Sequence, residues 1–124
     1  MAQHGDVDFG RVAYDRRCWL DAYKALNSTD EQSALDAADL WRLAVSAYMI
    51  GRTEDFVAAL ERRYRLQLAS EDTAATARSA FWIGFYLASR GATGRAAGWL
   101  GRAQRLLDGN GPCVEEGYLL LAAA

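Results

Sequence analysis

The chain of 124 residues contains only one proline, one histidine, one lysine and two cysteines. A single proline together with abundant alanine favours helices, because proline inside a helix removes a hydrogen bond and clashes with the preceding turn. The one histidine, His4, lies near the N-terminus, and neither cysteine has a base beside it in the sequence. The activated nucleophile of covalent catalysis is therefore not indicated. The sequence predicts a helical protein that is not an enzyme and that uses no cofactor.

The two cysteines, Cys18 and Cys113, are far apart and show no CxxC or Cys/His spacing. One disulfide between them is an open alternative, but a pair of reduced, packed thiols is favoured. His4, Asp6 and Asp8 are residue types that bind metals, but we expect them on a loose terminus without a partner cluster. No metal site is predicted.

The sequence shows no pattern of a membrane or export segment. Its first ten residues, MAQHGDVDFG, lack the basic region and apolar run of a signal peptide. No stretch approaches the roughly 18 consecutive apolar residues that a spanning helix requires. We therefore expect a cytoplasmic location and no membrane partner.

Charge is nearly balanced, with a formal net charge of -2. Such a balance gives no long-range field that would attract nucleic acid. Neighbouring carboxylates are interpreted as helix caps and first-turn acids rather than as a catalytic pair. These are Asp36 with Asp39, Glu54 with Asp55, Glu71 with Asp72, and Glu115 with Glu116.

Turn and capping residues divide the chain into predicted helical hairpins. Residues 1–8 are expected to be flexible, and residues 9–124 to form a single domain. The hairpins are placed at about 9–27, 31–70 and 73–108, followed by an unpaired last helix at 112–124. Ser28 and Glu31 have the spacing of a capping box for the helix that begins near residue 31.

A repeat is visible when the helix breaks are superposed. Arg17, Gly51 and Gly91 occupy the same place in successive units. The step from the first break to the second matches the period of about 34 residues of tetratricopeptide (TPR) repeats, and the longer second step is normal for their degenerate relatives. The small position where paired helices approach closely holds Ala44 and Gly84. These patterns predict an all-α fold of TPR-like antiparallel helical hairpins, stacked as a short right-handed α-solenoid of about six or seven helices.

Two stretches, GRAAGWLGRAQRLLDG and CVEEGYLL, carry a more specific resemblance. Together with residues 16–121 as a whole, they resemble the TPR-like region of actinobacterial LuxR-type transcriptional regulators and related cyclase-regulator proteins. In that family the region precedes further repeats and a DNA-binding helix-turn-helix. Nothing in this sequence resembles a recognition helix, so direct DNA binding is not carried over. The resemblance implies a regulatory scaffold.

The TPR register predicts a set of residues on the concave groove. A surface that receives a protein or peptide is one interpretation. Burial of the aromatic helix between neighbouring hairpins is the other, and an apolar pocket that senses a small molecule is the alternative function. The predicted groove residues are Trp41, Arg42, Val45, Tyr48, Met49, Arg78, Phe81, Phe85 and Ser89.

Two further surfaces are indicated. The last helix would have no second helix to cover it, which predicts a homodimer through Tyr118, Leu119 and Leu121. Arginines recur at matching places on the second helices of successive hairpins. They are interpreted either as a solvated helix face or as a basic stripe for an acidic partner or nucleic acid. They are Arg62, Arg63, Arg65, Arg102 and Arg105.

Overall fold

The structure, a computed structural model, describes residues 2–108, with side chains from residue 7 onward. This part of the chain contains helices and turns but no strand, which confirms the all-α prediction. The six helices are α1 (Ala2–Asp15), α2 (Trp19–Gln32), α3 (Ala37–Met49), α4 (Thr53–Ala69), α5 (Thr73–Ser89) and α6 (Thr93–Asp108). Within this range no helix combines the length and apolar character needed to span a membrane. The predicted last helix at 112–124 lies outside the described residues.

The chain divides into two compact units, residues 1–62 and 63–124, with the division inside α4. In the first unit α1 packs against α2, α2 packs against α3, and α1 also contacts α3. In the second unit α5 packs against α6. Each unit is thus assembled from helices that are neighbours in sequence, as helical hairpins require. The single domain over residues 9–124 and the stacking of hairpins along a solenoid stay predictions.

The three equivalent breaks found in the sequence have the same backbone geometry. Arg17, Gly51 and Gly91 have φ angles of 62°, 84° and 81°. Each is the left-handed residue just after a helix, the position at which glycine is most common. Beyond it, the next backbone N–H donates to a carbonyl five positions back. The three bonds are Cys18 N to Ala13 O (2.8 Å), Arg52 N to Ala47 O (2.8 Å) and Ala92 N to Leu87 O (2.9 Å).

Small residues allow the two helices of a hairpin to approach. A Cβ placed on Gly10 would lie 2.8 Å from Cγ of Leu26, and one on Gly84 would lie 2.8 Å from Cγ of Leu100. Ala44 occupies the equivalent place in the second hairpin, because each of these three residues precedes the left-handed residue of its own hairpin by the same number of positions. Ala44 is fully buried. The small position predicted from the sequence therefore extends to a third residue, Gly10.

Residues 2–8, which were predicted to be flexible, are part of helix α1, which begins at Ala2. The residues of lowest helix propensity in its first ten are the glycines Gly5 and Gly10. A single glycine costs a helix about 1 kcal/mol relative to alanine and does not by itself end the helix. Polar composition alone is therefore not a sufficient sign of a loose segment.

The predicted break at residues 27–30 is also wrong, because α2 continues to Gln32. Thr29 is buried, and its hydroxyl donates to the Ala25 carbonyl at 3.0 Å within the helix. Asp30 accepts two hydrogen bonds from the Arg62 guanidinium, at 2.6 and 2.7 Å. These side chains find partners while the backbone stays helical, so the turn-forming tendency of this stretch is overridden.

The capping box assigned to Ser28 and Glu31 is consequently wrong, since both residues lie inside α2. The helix that follows begins at Ala37, and its cap is Asp36, whose carboxylate accepts from the Asp39 backbone N–H at 2.8 Å. The first two hairpins therefore meet at residues 33–36 rather than at 28–30. The remaining breaks, at 50–52, 70–72 and 90–92, agree with the sequence analysis.

The core of the second unit is a cluster that joins α5 and α6. Its buried members are small or aliphatic apart from Phe81, and partly buried aromatic and leucine side chains pack against it. The buried residues are Ala77, Ala80, Phe81, Ala103 and Leu107, with Tyr64, Trp82, Trp99, Leu100 and Leu106 packed against them.

Candidate functional site

In the first unit the predicted site residues all lie on α3. Trp41, Arg42 and Val45 are half-buried, whereas Tyr48 and Met49 are each 51% exposed. They follow a spacing of three and four positions, which brings side chains onto a common side of a helix. The structure thus places an exposed aromatic and an exposed thioether side by side at the end of α3.

Tyr48 is supported by the helix that follows. Its ring centroid lies 5.2 Å from that of Phe56, with the two planes tilted by 55°. Phe56 is buried, so one side of the tyrosine ring rests on the core while half of its surface meets solvent. This arrangement fixes the exposed ring without covering it.

Arg42 belongs to an ion-pair network centred on a buried carboxylate. Asp39 accepts from Arg11 Nε at 3.0 Å and from Arg11 Nη2 at 2.7 Å, and from Arg42 Nη1 at 2.8 Å. Burial alone would raise the pKa of Asp39, but the hydrogen bonds and charge of Arg11, and then of Arg42, outweigh it and hold the pKa below its ordinary value. The guanidinium of Arg42 is therefore held in place rather than mobile on a rim.

Arg11 was not found from the sequence. It is 28 residues from Asp39, and no local pattern links the two. The pair joins α1 to α3, which are the equivalent first helices of consecutive hairpins. The repeat register does not pair them either, because Arg11 precedes Arg17 by six positions and Asp39 precedes Gly51 by twelve.

In the second unit the predicted residues lie on α5 and differ sharply in burial. Phe81 is only 5% exposed and belongs to the core cluster, whereas Phe85 is 48% exposed. Arg78 and Ser89 are exposed, and the Ser89 hydroxyl donates to the Tyr86 carbonyl at 2.7 Å. Two interpretations of this helix were open, burial in the core and an accessible surface. Phe81 is buried in the core, and Phe85 lies on the accessible surface.

Phe85 lies at the edge of a group of rings. Its centroid is 5.8 Å from Phe81 and 6.1 Å from Trp82, and the Phe81 and Trp82 rings are themselves 5.2 Å apart in an edge-to-face arrangement. Such contacts favour a fixed ring orientation. Phe85 is thus an exposed aromatic anchored on a buried aromatic cluster.

A buried polar chain connects α4 to α5 inside the second unit. Arg63 Nη1 donates to the Ser79 hydroxyl at 3.1 Å, and that hydroxyl donates to Gln67 Oε1 at 2.6 Å. Burial, followed by the positive charge of Arg78, lowers the pKa of Arg63. The sequence placed Arg63 on a solvated basic stripe, but its guanidinium is used inside the unit.

The other arginines of the predicted stripe differ in their surroundings. Arg62 is paired with Asp30, and this pairing raises its pKa. Arg102 and Arg105 are exposed on α6. The Arg102 guanidinium lies 4.5 Å from the centre of the Trp99 ring, and Tyr64 meets the same ring edge-on, with centroids 5.0 Å apart.

Several apolar residues of the first hairpin are exposed, and their exposure was not predicted from the sequence. Phe9, Val12 and Leu20 are each about half exposed. Phe9 aligns in the repeat with Leu43 and Ile83, and both of these are buried. The repeat alignment was the signal that would have drawn attention to Phe9.

Three other predictions concern the cysteines, metal binding and self-association. Cys18 is exposed rather than packed, and Cys113 lies outside the described residues. In the described part of the chain no three His, Cys, Asp or Glu side chains are grouped so that they could hold a metal. The self-association residues Tyr118, Leu119 and Leu121 lie outside the described residues.

The described residues are thus helical and built from hairpins, and each unit has an exposed aromatic side chain that contacts a buried ring. Comparison of the chain with models of known protein families, with curated protein sequences and with solved structures found no match.

Proposed function

We propose that this chain is a non-enzymatic protein–protein interaction scaffold. The observation that carries the proposal is the pair of exposed aromatics that rest on buried rings, Tyr48 on Phe56 and Phe85 on Phe81. An aromatic side chain that is held in one orientation and remains accessible loses little conformational entropy on binding. Residues of this kind are the usual anchors of protein interfaces.

The surroundings of Tyr48 support this role. Met49 is equally exposed, and its flexible thioether adapts to partners of different shape. Arg42 lies about one and a half helical turns before Tyr48 on α3. Its guanidinium is held by Asp39, and its remaining N–H donors can bind a peptide. An apolar anchor beside a fixed cation suits a peptide or helix that carries both apolar and acidic residues.

We further propose a regulatory setting for this scaffold. The resemblance to the TPR-like region of LuxR-type transcriptional regulators supports a role in transcription or signalling, in which the chain binds a protein in the cytoplasm and does not itself contact DNA. Self-association through Tyr118, Leu119 and Leu121 is part of the same proposal. A chain that stays monomeric at high concentration in sedimentation experiments would remove that part.

The binding role is tested by peptide selection. A random peptide library is selected on the full chain, and the affinity of the enriched peptides is measured by fluorescence polarisation. Tyr48→Ala and Phe85→Ala are expected to weaken binding at least tenfold, since loss of an interface anchor costs on the order of 2 kcal/mol. Leu66→Ala removes a side chain of similar exposure, 46%, and serves as the control.

The outcomes separate the candidate functions. Peptides that bind the Leu66→Ala variant normally but not the other two support the scaffold. Failure to enrich any peptide contradicts it. A small molecule that raises the melting temperature in a thermal-shift screen, by an amount that grows with the logarithm of its concentration, would favour the sensor instead.

A further inference from the structure

Positive charge is concentrated in the second unit. Residues 1–62 contain seven basic and eleven acidic side chains, a formal charge of -4. The second unit, residues 63–124, has a formal charge of +2, and its part from 63 to 108 contains seven basic and three acidic side chains, a formal charge of +4. Two of those three acids are already engaged: Asp72 caps α5, and Asp108 accepts from the Gln104 amide at 2.8 Å. The nearly neutral total charge therefore hides a basic surface.

The exposed part of this charge lies on α6. Arg102 and Arg105 are three positions apart and so project from the same side of the helix. Among the described residues neither forms an ion pair. Arg102 is held over the Trp99 ring by a cation–π contact, which fixes its guanidinium while leaving its donors accessible.

Aromatic side chains lie next to Arg102 within the same unit. Trp99 is half-buried and packs edge-to-face on Tyr64. Leu68 follows Tyr64 by one helical turn on α4 and is 48% exposed. The surface therefore combines two guanidinium groups with aromatic and leucine side chains. We call Tyr64, Leu68, Trp99, Arg102 and Arg105 the arginine–tryptophan surface.

We propose that the arginine–tryptophan surface binds an acidic, amphipathic segment of a partner protein. Carboxylates of the partner pair with Arg102 and Arg105, and its apolar side chains pack on Leu68 and the exposed edge of Trp99. The planar guanidinium matches a carboxylate with two parallel hydrogen bonds, so arginine is better suited to this task than lysine. Neither Tyr48 nor Phe85 belongs to this set of residues, and the two sets are tested by different variants.

The geometry favours a protein over a nucleic acid. Sequence-independent binding of single strands uses aromatic rings on which bases stack. One face of Trp99 is covered by Arg102 at 4.5 Å, and Tyr64 packs against the same ring with an interplanar angle of 87°.

The test uses the full chain and a fluorescent peptide of about 18 residues, long enough for five helical turns, with leucine on one face and glutamate on the other. Saturable binding is expected, and it should weaken several-fold between 50 and roughly 300 mM salt because the contacts are exposed and screened. Arg102→Glu with Arg105→Glu should weaken binding at least tenfold. Arg16→Glu with Lys24→Glu makes the same change in net charge on exposed residues of the first unit and should leave the affinity within twofold.

Three results would overturn the proposal. They are the absence of saturable peptide binding, an equal loss of affinity in both charge-reversed variants, and tighter binding of a single-stranded oligonucleotide than of the peptide. Circular dichroism of each variant confirms that it is folded. Tyr48→Ala and Phe85→Ala are included in the same assay, since normal binding by both separates this surface from the anchors of the proposed scaffold.

Discussion

Gly84 and Leu100 touch across the hairpin of α5 and α6, so closely that a Cβ on residue 84 would lie 2.8 Å from the leucine Cγ and 3.2 Å from its backbone nitrogen. The same relationship joins Gly10 to Leu26 in the first hairpin. A contact that involves backbone cannot be relieved by rotating a side chain alone. The approach of the two helices therefore depends on the missing methyl group.

Gly84→Ala is expected to destabilise the protein by about 1–3 kcal/mol, because the added methyl overpacks the interface of α5 and α6. The free energy of unfolding is measured by urea titration with circular dichroism. The control is Gly98→Ala in α6, where no atom lies within 4 Å of the new Cβ. There alanine should stabilise by up to about 1 kcal/mol through its higher helix propensity. Equal effects of the two substitutions would contradict the close approach.

Arg17→Gly is expected to stabilise the protein by roughly 0.5–1 kcal/mol, because a side chain at a positive φ is strained and glycine is not. Arg17 has a φ of 62° at a position where the other two hairpins have glycine. Arg16→Gly is the control, because φ of Arg16 is not positive and glycine brings only extra flexibility to the unfolded chain. The melting temperature should rise for the first variant and fall slightly for the second. A lower melting temperature for Arg17→Gly would show that the strain is not released.

Asp39→Asn is expected to destabilise the protein by about 2 kcal/mol, because two guanidinium groups lose a buried carboxylate. The cost stays at this level because the Arg11 side chain is 41% exposed and regains some hydration. Asp8→Asn offers a matched control on the same arginine, since Asp8 lies 3.6 Å from it and is 73% exposed. Its effect should stay below about 0.5 kcal/mol. Urea midpoints that shift equally would argue against a special role for Asp39.

The lowered pKa values of Asp39 and Asp30 set the acid sensitivity of the first unit. Hydrogen bonds from Arg62 are the main cause for Asp30, and for Asp39 the interactions with Arg11 and Arg42 outweigh burial. Because both are depressed in the folded state, their stabilisation is present above the unfolded pKa of about 3.9 and is lost as pH falls below it. Urea midpoints measured from about pH 6 to pH 2.5 should show this loss, and Asp39→Asn should reduce its steepness. An unchanged pH profile in the variant would contradict the assignment.

The parts of the fold that the sequence predicted well depend on local backbone preferences. Gly51 and Gly91 mark the ends of helices because few other residues adopt a positive φ without strain, and the acids that follow Thr53 mark a start. The stretch at residues 27–30 was misread because its turn propensity is overridden by Arg62, 32 residues further along from Asp30. A partner at that distance has no local signature.

The candidate site also combines features that depend on local sequence with features that depend on residues far away in the sequence. Helical spacing places both Tyr48 and Met49 next to Val45 on α3, at three and four positions from it, which depends only on the helix itself. Whether Phe81 or Phe85 is buried depends on where α6 lies, and an apolar helix without a clear polar face does not reveal that orientation. The ion pair of Arg11 and Asp39 depends on how consecutive hairpins align.

The turns after α1, α3 and α5 share a main-chain hydrogen bond, with a donor and an acceptor that every residue but proline supplies. The backbone geometry of these turns therefore depends little on which side chains are present. The left-handed residue is the position under a strong steric restriction. A gene encoding such hairpins can accumulate substitutions, or duplicate a segment, with little change in backbone path. Structural ancestry can then persist in chains whose amino-acid identities have drifted far apart.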